Sequence, residues 1–293
     1  MNTCTLVETT TKDNLIHQGV YAEPENKSTT ALLWIHGLSS NFYSNTPFMN
    51  VMIEMCGSKG IGFALFNNRG HDTVSGIKKI DTTKEKGYTR VVGGAGIERF
   101  EECVYDIDAG ISFLVHKGYK KIILVGHSTG ANKACFYAGT QNDPRFSAVV
   151  LASAVCDHLV ASFHISWVVT QFLKILQTIG FGNSFVMFAG PYPTTPNRLL
   201  SLLTPHSNED VFDYDDVEHG LVTFGKITKP LLVVLGEQDE SLDRPAFVIK
   251  AVYDKKTQAK QYASIIMKDA DHGFKGKEKE FGKEILTFVE SIK

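Results

Sequence analysis

Lys121-Ile122-Ile123-Leu124-Val125-Gly126-His127-Ser128-Thr129-Gly130 is the stretch whose reading decides the fold. Four consecutive apolar positions, Ile122–Val125, without alternation describe a strand covered on both faces, and the helical pattern of Ser128–Thr140 follows at once. A serine on a sharp strand-to-helix turn has its hydroxyl exposed at the positive end of a helix. Glycines must flank it, because backbone and helix approach too closely there for a Cβ.

Outward from this stretch the same alternation recurs. Ala31–His36, Ile61–Asn67, Ala148–Ala154, Leu231–Gly236 and Ala263–Lys268 also read as buried strands. Between and after them, Thr46–Met55, Ile97–His116, Arg244–Tyr253 and Lys277–Ile292 carry helical patterns. Strand–helix alternation of this kind predicts an α/β fold with a mostly parallel, doubly wound sheet. Thr5–Thr9 and Leu15–Ala22 read as an antiparallel hairpin on one edge. From Cys156 to Lys229 no good strand is found, an interval far longer than the ~2–6 residues usual between α/β elements. We read residues 156–229 as a helical cap inserted after the sixth strand, between core segments 1–155 and 230–293. Ligands of open α/β sheets bind outside the carboxyl ends of the strands, which is where such a cap would sit.

Ala161–Phe181 is the most apolar part of the insertion. Its His164, Gln171, Lys174 and Gln177 would be costly in hydrocarbon. Ile165, Val168, Val169, Phe172, Leu176 and Ile179 recur at helical spacing, which predicts one amphipathic helix and no transmembrane segment.

A serine hydroxyl needs a base to take its proton, and the base needs a carboxylate to fix its tautomer. In this topology both follow the nucleophile in the chain, the carboxylate first. Asp239 stands just past Leu231–Gly236, and His272 just past Ala263–Lys268, so both loops fall on the sheet edge that holds Ser128. Rival carboxylates are Glu237, on the Asp239 loop, and Asp157, after Ala148–Ala154. Asp269 and Asp271 are too near His272 in sequence to face its ring and read as loop residues. His127 reads as a packed, hydrogen-bonded histidine. The negative charge that builds on a carbonyl oxygen in acyl transfer must meet two backbone N–H groups. The expected donors are Thr129, after the nucleophile, and Leu38, in Trp34-Ile35-His36-Gly37-Leu38, with His36 holding that loop.

With these motifs in order, the chain resembles an α/β-hydrolase-fold serine hydrolase of the esterase and lipase kind, from Ala31 to its end. The resemblance implies an eight-stranded-type sheet and ester hydrolysis with no metal and no organic cofactor. Asn67-Asn68-Arg69-Gly70-His71-Asp72 looks like the Arg-Gly-His turn after the fourth strand of many members, with His71 a packing residue. Gly94, Phe100, Asp106-Ile107 and Gly118, together with Gly126–Gly130, are similar to a siderophore-esterase-like branch; these short motifs carry no substrate with them. A serine in place of an aspartate nucleophile argues against haloalkane dehalogenases and epoxide hydrolases. A plain His-Gly-Leu loop departs from the His-Gly-Gly-Gly type of the hormone-sensitive-lipase-like esterases.

Composition agrees. The 293 residues are 43% hydrophobic and 21% charged, with 25 Gly and 9 Pro, which excludes a fibrous or largely disordered chain. The net charge of −2 gives no basic excess to hold a phosphate backbone and argues against a nucleic-acid partner. Five scattered cysteines, with no Cys-x-x-Cys pair, argue against a disulfide framework or a zinc cage. With no signal-peptide pattern in Met1–Lys12, the expected setting is the cytoplasm. The expected partner is a small-molecule ester with an apolar or aromatic moiety, to be met by cap aromatics such as Trp167, Phe172 and Phe188. Lys174 and Arg198 read as isolated charges, with no cluster to capture a phosphate or coenzyme A. A homodimer is left open. An acyltransferase with the same triad and a slow-turnover ligand receptor on the same fold are the alternative readings.

Overall fold

The apolar runs fold as parallel strands, and the computed structural model describes residues 3–44, 46–189, 192–216 and 218–292. The first half of the chain runs β1 (Thr3–Thr10), β2 (Leu15–Glu23), β3 (Thr30–Ile35), α1 (Thr46–Ser58), β4 (Gly62–Phe66), β5 (Ser75–Ile80), β6 (Tyr88–Gly93), α2 (Cys103–His116), β7 (Lys121–His127), α3 (Thr129–Thr140) and β8 (Phe146–Ala152). The inserted segment carries α4 (Asp157–His164), α5 (Trp167–Leu176), α6 (Pro196–Leu203) and the single turn α7 (Val222–Gly225). Then come β9 (Leu231–Gly236), α8 (Ala246–Lys256), β10 (Tyr262–Met267) and α9 (Glu278–Ser291). The sheet order is β10-β9-β8-β7-β3-β4-β2-β5-β6, with β1 paired to β2 off this path. The strands from β10 to β4 are parallel; β1, β2, β5 and β6 join antiparallel.

Successive side chains of a strand point to opposite faces, and each central strand therefore feeds two cores. Leu33 and Ile35 of β3 and Ile122 and Leu124 of β7 pack with α2, α3 and α8 on one side. Leu32 and Trp34, with Ile123 and Val125, pack against α1 and α9 on the other. This double burial explains why these strands are apolar runs without alternation.

Two expectations are corrected here. The sheet has ten strands, because β5 and β6 form a hairpin in register from Ser75↔Gly93 to Ile80↔Tyr88, so the insertion follows the eighth strand. Only Ile77 of β5 is buried, and a solvated edge hairpin has no apolar run to betray it. The single helix expected over Ala161–Phe181 is two helices, α4 and α5, bent by 102° between them. Ser166 begins the second one as its N-cap, its hydroxyl accepting from the Val169 amide at 3.4 Å. Of α5, Leu173 is the buried residue, whereas Val168 is 69% and Phe172 46% exposed. The apolar stripe is therefore divided: Ile165 and Val169 pack against the small core around Leu173, while Val168, Phe172 and Ile179 lie outward. No single helix among the described residues is long and apolar enough to cross a membrane.

Candidate active site

Ser128 sits between β7 and α3 with φ 57° and ψ −134°, a strained conformation held by its neighbours. Its amide donates to Ala152 O at 3.0 Å, and its carbonyl accepts from the Ala131 amide at 2.7 Å. The flanking glycines are sterically required. A Cβ on Gly126 would lie 2.2 Å from Gly130 O, and one on Gly130 would lie 2.1 Å from Ile35 O. Strand, turn and helix are thus pressed together so that the hydroxyl projects beyond the strand end.

The loops after β9 and β10 deliver the partners. His272 Nε2 lies 2.8 Å from Ser128 Oγ, and its Nδ1 lies 2.8 and 3.0 Å from the two oxygens of Asp239. The Asp239 side chain is fully buried and also accepts from the Ser241 amide at 2.9 Å. Burial opposes a charged His272, but the Asp239 hydrogen bond and the nearby carboxylates of Asp239, Glu240 and Asp157 outweigh it. The imidazole is therefore held above its ordinary value of 6.5. With Nδ1–H directed at a carboxylate, Nε2 is free to accept a proton from the serine.

Other groups fix this geometry. His127 donates from Nε2 to the His272 carbonyl at 2.8 Å; burial and neighbouring His272 push its pKa down to about 4, so it stays a neutral donor. Ser153 Oγ donates to the same carbonyl at 2.8 Å, and Glu240 accepts from the His272 amide at 3.0 Å. His127 is the packed, hydrogen-bonded histidine expected from the sequence; Ser153 and Glu240 had no signal there beyond proximity to a strand end. The rivals fall elsewhere. Glu237 accepts from the Asp269 amide at 3.1 Å, and Asp271 from the Lys275 amide at 2.8 Å. Asp157 begins α4, with the Thr129 side chain beside its carboxyl.

The loop after β3 faces the serine. A Cβ on Gly37 would lie 2.9 Å from Ser128 Cβ, so only glycine lets the loop approach this closely. His36 donates from Nδ1 to Gly37 O at 2.9 Å and accepts on Nε2 from the Asn68 amide at 3.0 Å, tying the loop to the end of β4. Leu38 follows Gly37, and Thr129 occupies the first turn of α3, where amides have no intrahelical acceptor.

A cavity of about 670 Å³ borders this corner, lined by Leu38 and Asp157 and, on the insertion side, by Val160, Ile165, Val169, Phe188 and Leu199. Its volume and apolar wall suit a small organic molecule. Of the three aromatics expected to line it, Phe188 does. Trp167 and Phe172 do not: Trp167 is 74% exposed, and Phe172 packs its ring against Phe188 at 5.4 Å between centroids. The bend between α4 and α5 turns both outward.

Arg198 also differs from expectation. It is buried and paired with Glu209, while its Nη2 lies 3.5 Å from Glu98 Oε1 and its Nε donates to Ala95 O at 3.1 Å. Glu98 in turn holds Lys133 of α3 at 2.6 Å. A chain of buried charges thus runs from α3, the helix that follows Ser128, to α6. Among the described residues, His206, Asp210 and Asp213 are the only group whose donors cluster closely enough for a metal. Asp210 and Asp213 already accept from the His206 and Leu221 amides.

Comparison with known proteins agrees with the architecture. Residues 88–292 match the family model described as "Protein of unknown function (DUF1749)". The UPF0613 protein PB24D3.06c of Schizosaccharomyces pombe is 24% identical over 178 residues, 50% of this chain. The match spans 54% of that relative's length. Among solved structures, the siderophore hydrolase EstB of Aspergillus fumigatus superposes with a TM-score of 0.68 at 13% identity, covering 99% of this chain and 98% of that one. Est1E of Butyrivibrio proteoclasticus, solved with ferulic acid, gives 0.67 at 14% identity over 97% and 98% of the two chains. The Pyrococcus furiosus esterase Pf2001 gives 0.62 at 16% identity over 99% and 91%. The fold is that of the α/β-hydrolases.

Proposed function

The chain belongs to the family described as "Protein of unknown function (DUF1749)", and from its fold and site we propose that it is a serine hydrolase of carboxylic esters. The observation that carries this reading is His272 bridging Ser128 and Asp239 at 2.8 Å on either side. His272 takes the serine proton as Ser128 Oγ attacks the ester carbonyl, and the amides of Leu38 and Thr129 receive the oxyanion. The imidazolium, stabilised by Asp239, protonates the departing alcohol. Water, deprotonated by the same imidazole, then attacks the acyl-serine and releases the acid. The esterases of the same fold and the siderophore hydrolase support ester chemistry as the class.

Residues 156–229 act in this reading as the cap that shapes the pocket. Val160, Ile165, Val169, Phe188 and Leu199 offer an apolar wall to the acyl or alcohol group. A p-nitrophenyl ester series from acetate to dodecanoate should give kcat/KM that rises from acetate to a medium chain, then falls as the cavity fills. A flat profile, or one highest at acetate, would remove the cavity from the substrate's path.

The pH profile is a second check. The base works as neutral imidazole, and its pKa is held above 6.5, so kcat/KM should rise with pH through a midpoint above 6.5. Asp239→Asn removes the main group favouring the imidazolium, leaving burial, which lowers the pKa. The midpoint should then move to lower pH while the plateau falls by about 10³–10⁴-fold. An unmoved midpoint would detach Asp239 from His272.

A further inference from the structure

Asp157 is a carboxyl that the proposed mechanism does not use. It is partly buried, lies at the start of α4 and, among the described residues, is the only acidic one in the wall of the cavity that Leu38 borders. The Thr129 side chain lies beside the carboxyl, yet the carboxyl's Oδ2 is buried with no hydrogen-bond partner. Most of the remaining wall is aliphatic or aromatic. An unmet carboxyl oxygen in such surroundings is costly, and a bound group able to donate to it recovers that cost. The carboxyl turns easily about χ2, so either oxygen can be offered to the cavity.

We propose that Asp157 is the polar anchor of the substrate, so that the cavity selects esters whose apolar body carries a hydrogen-bond donor, a hydroxyl or an amine. This rests on the ester-hydrolase reading and narrows it: Phe188, Val160 and Val169 hold the apolar body, and Asp157 reads one polar group on it. Thr129 couples the two parts, for its amide serves the oxyanion while its side chain lies beside Asp157.

The charge of the anchor follows from what faces it. Burial first, then neighbouring Glu209, push the Asp157 carboxyl up to about 7; the Thr129 side chain and the charges of Arg198 and His272 act the other way. The Tyr192 hydroxyl of the cavity wall is also within its electrostatic reach. Near neutral pH the anchor therefore exists in both forms. Neutral, it exchanges hydrogen bonds with a hydroxyl; ionised, it pairs with an ammonium.

The test uses p-nitrophenyl heptanoate, 6-hydroxyhexanoate and 6-aminohexanoate, which differ in one terminal group of similar size. Wild type should turn over at least one donor-bearing ester as well as the heptanoate or better, despite the loss of apolar surface. Asp157→Leu should lower the ratio of donor-ester to heptanoate kcat/KM at least tenfold. Asp157→Asn should keep part of the hydroxyl preference and lose the amine preference. A wild-type preference for the amine that grows as pH rises through about 7 identifies a cationic substrate group, and a preference confined to the hydroxyl identifies a neutral one. A ratio unchanged within threefold in Asp157→Leu overturns the proposal. Calorimetric binding of the same esters to Ser128→Ala reads the preference without turnover. If wild type hydrolyses none of the esters, the hydrolase reading fails alone, and equal binding of all three overturns the anchor separately.

Discussion

Ser128→Ala is expected to lower kcat/KM on the best ester of the series by about 10³–10⁶-fold with little change in stability. The loss should be large because in the proposed mechanism Ser128 Oγ forms the bond, and among the described residues His272 Nε2 meets no second hydroxyl at hydrogen-bond distance. The side chain is not part of the fold's scaffold, since its strained backbone is fixed by the Ala152 and Ala131 bonds and by the crowding of Gly126 and Gly130. Nucleophile and base act as one unit, so the effects should not add. Ser128→Ala/His272→Ala should be no slower than either single variant by more than a few-fold. Steady-state rates, with circular dichroism as the control for folding, check both. Additive losses would mean that the two residues serve separate steps.

The largest stability effect is expected at Arg198. Its guanidinium and the carboxylates of Glu98 and Glu209 are almost completely buried, and Lys133 closes the chain of charges on α3. Removing one member strands the others in a low-dielectric interior, which costs about 3–5 kcal/mol. Arg198→Leu should lower the guanidinium midpoint accordingly, and hydrogen exchange should accelerate in α4 and α6 more than in β7 or β3. Arg99 is 70% exposed in its pairs with Glu101 and Glu102, so Arg99→Ala should stay within about 0.5 kcal/mol of wild type. Equal stability of Arg198→Leu would show that desolvation cancels the pairing. The network ties α6 to the helix that follows Ser128, so Arg198→Leu should also raise KM more than it lowers kcat.

What was legible in the sequence follows a physical pattern. Strands covered on both faces must be continuous apolar runs, so β3, β4, β7, β8 and β9 announced themselves; the edge strand β10 is only partly buried but still offered a short apolar run, and the residues just after these strands marked one sheet edge. Ser128, Asp239 and His272 each follow such a run, which is why three residues spread over 144 positions could be named together. The β5–β6 hairpin escaped because its exposed faces carry Lys78, Lys79 and Arg90 and leave no buried run. The insertion was found as a gap in the rhythm, but its internal geometry was not. A local break at Ser166 left Val169 inward and Val168, Phe172 and Ile179 outward, and helical spacing alone does not say which side of a stripe meets protein. Arg198 looked isolated although Glu209 is only 11 residues on, because burial of charge and the contact with Glu98, 100 residues away, are properties of the assembled fold.

The central claim is that Ser128 Oγ is a nucleophile activated by His272. The most direct measurement is intact-protein and peptide mass spectrometry after brief exposure to a fluorophosphonate probe. The account predicts a single phosphonyl adduct on the peptide bearing Ser128, strongly slowed in His272→Ala and absent in Ser128→Ala. Labelling at another residue, or equal labelling of the Ser128→Ala protein, would contradict it.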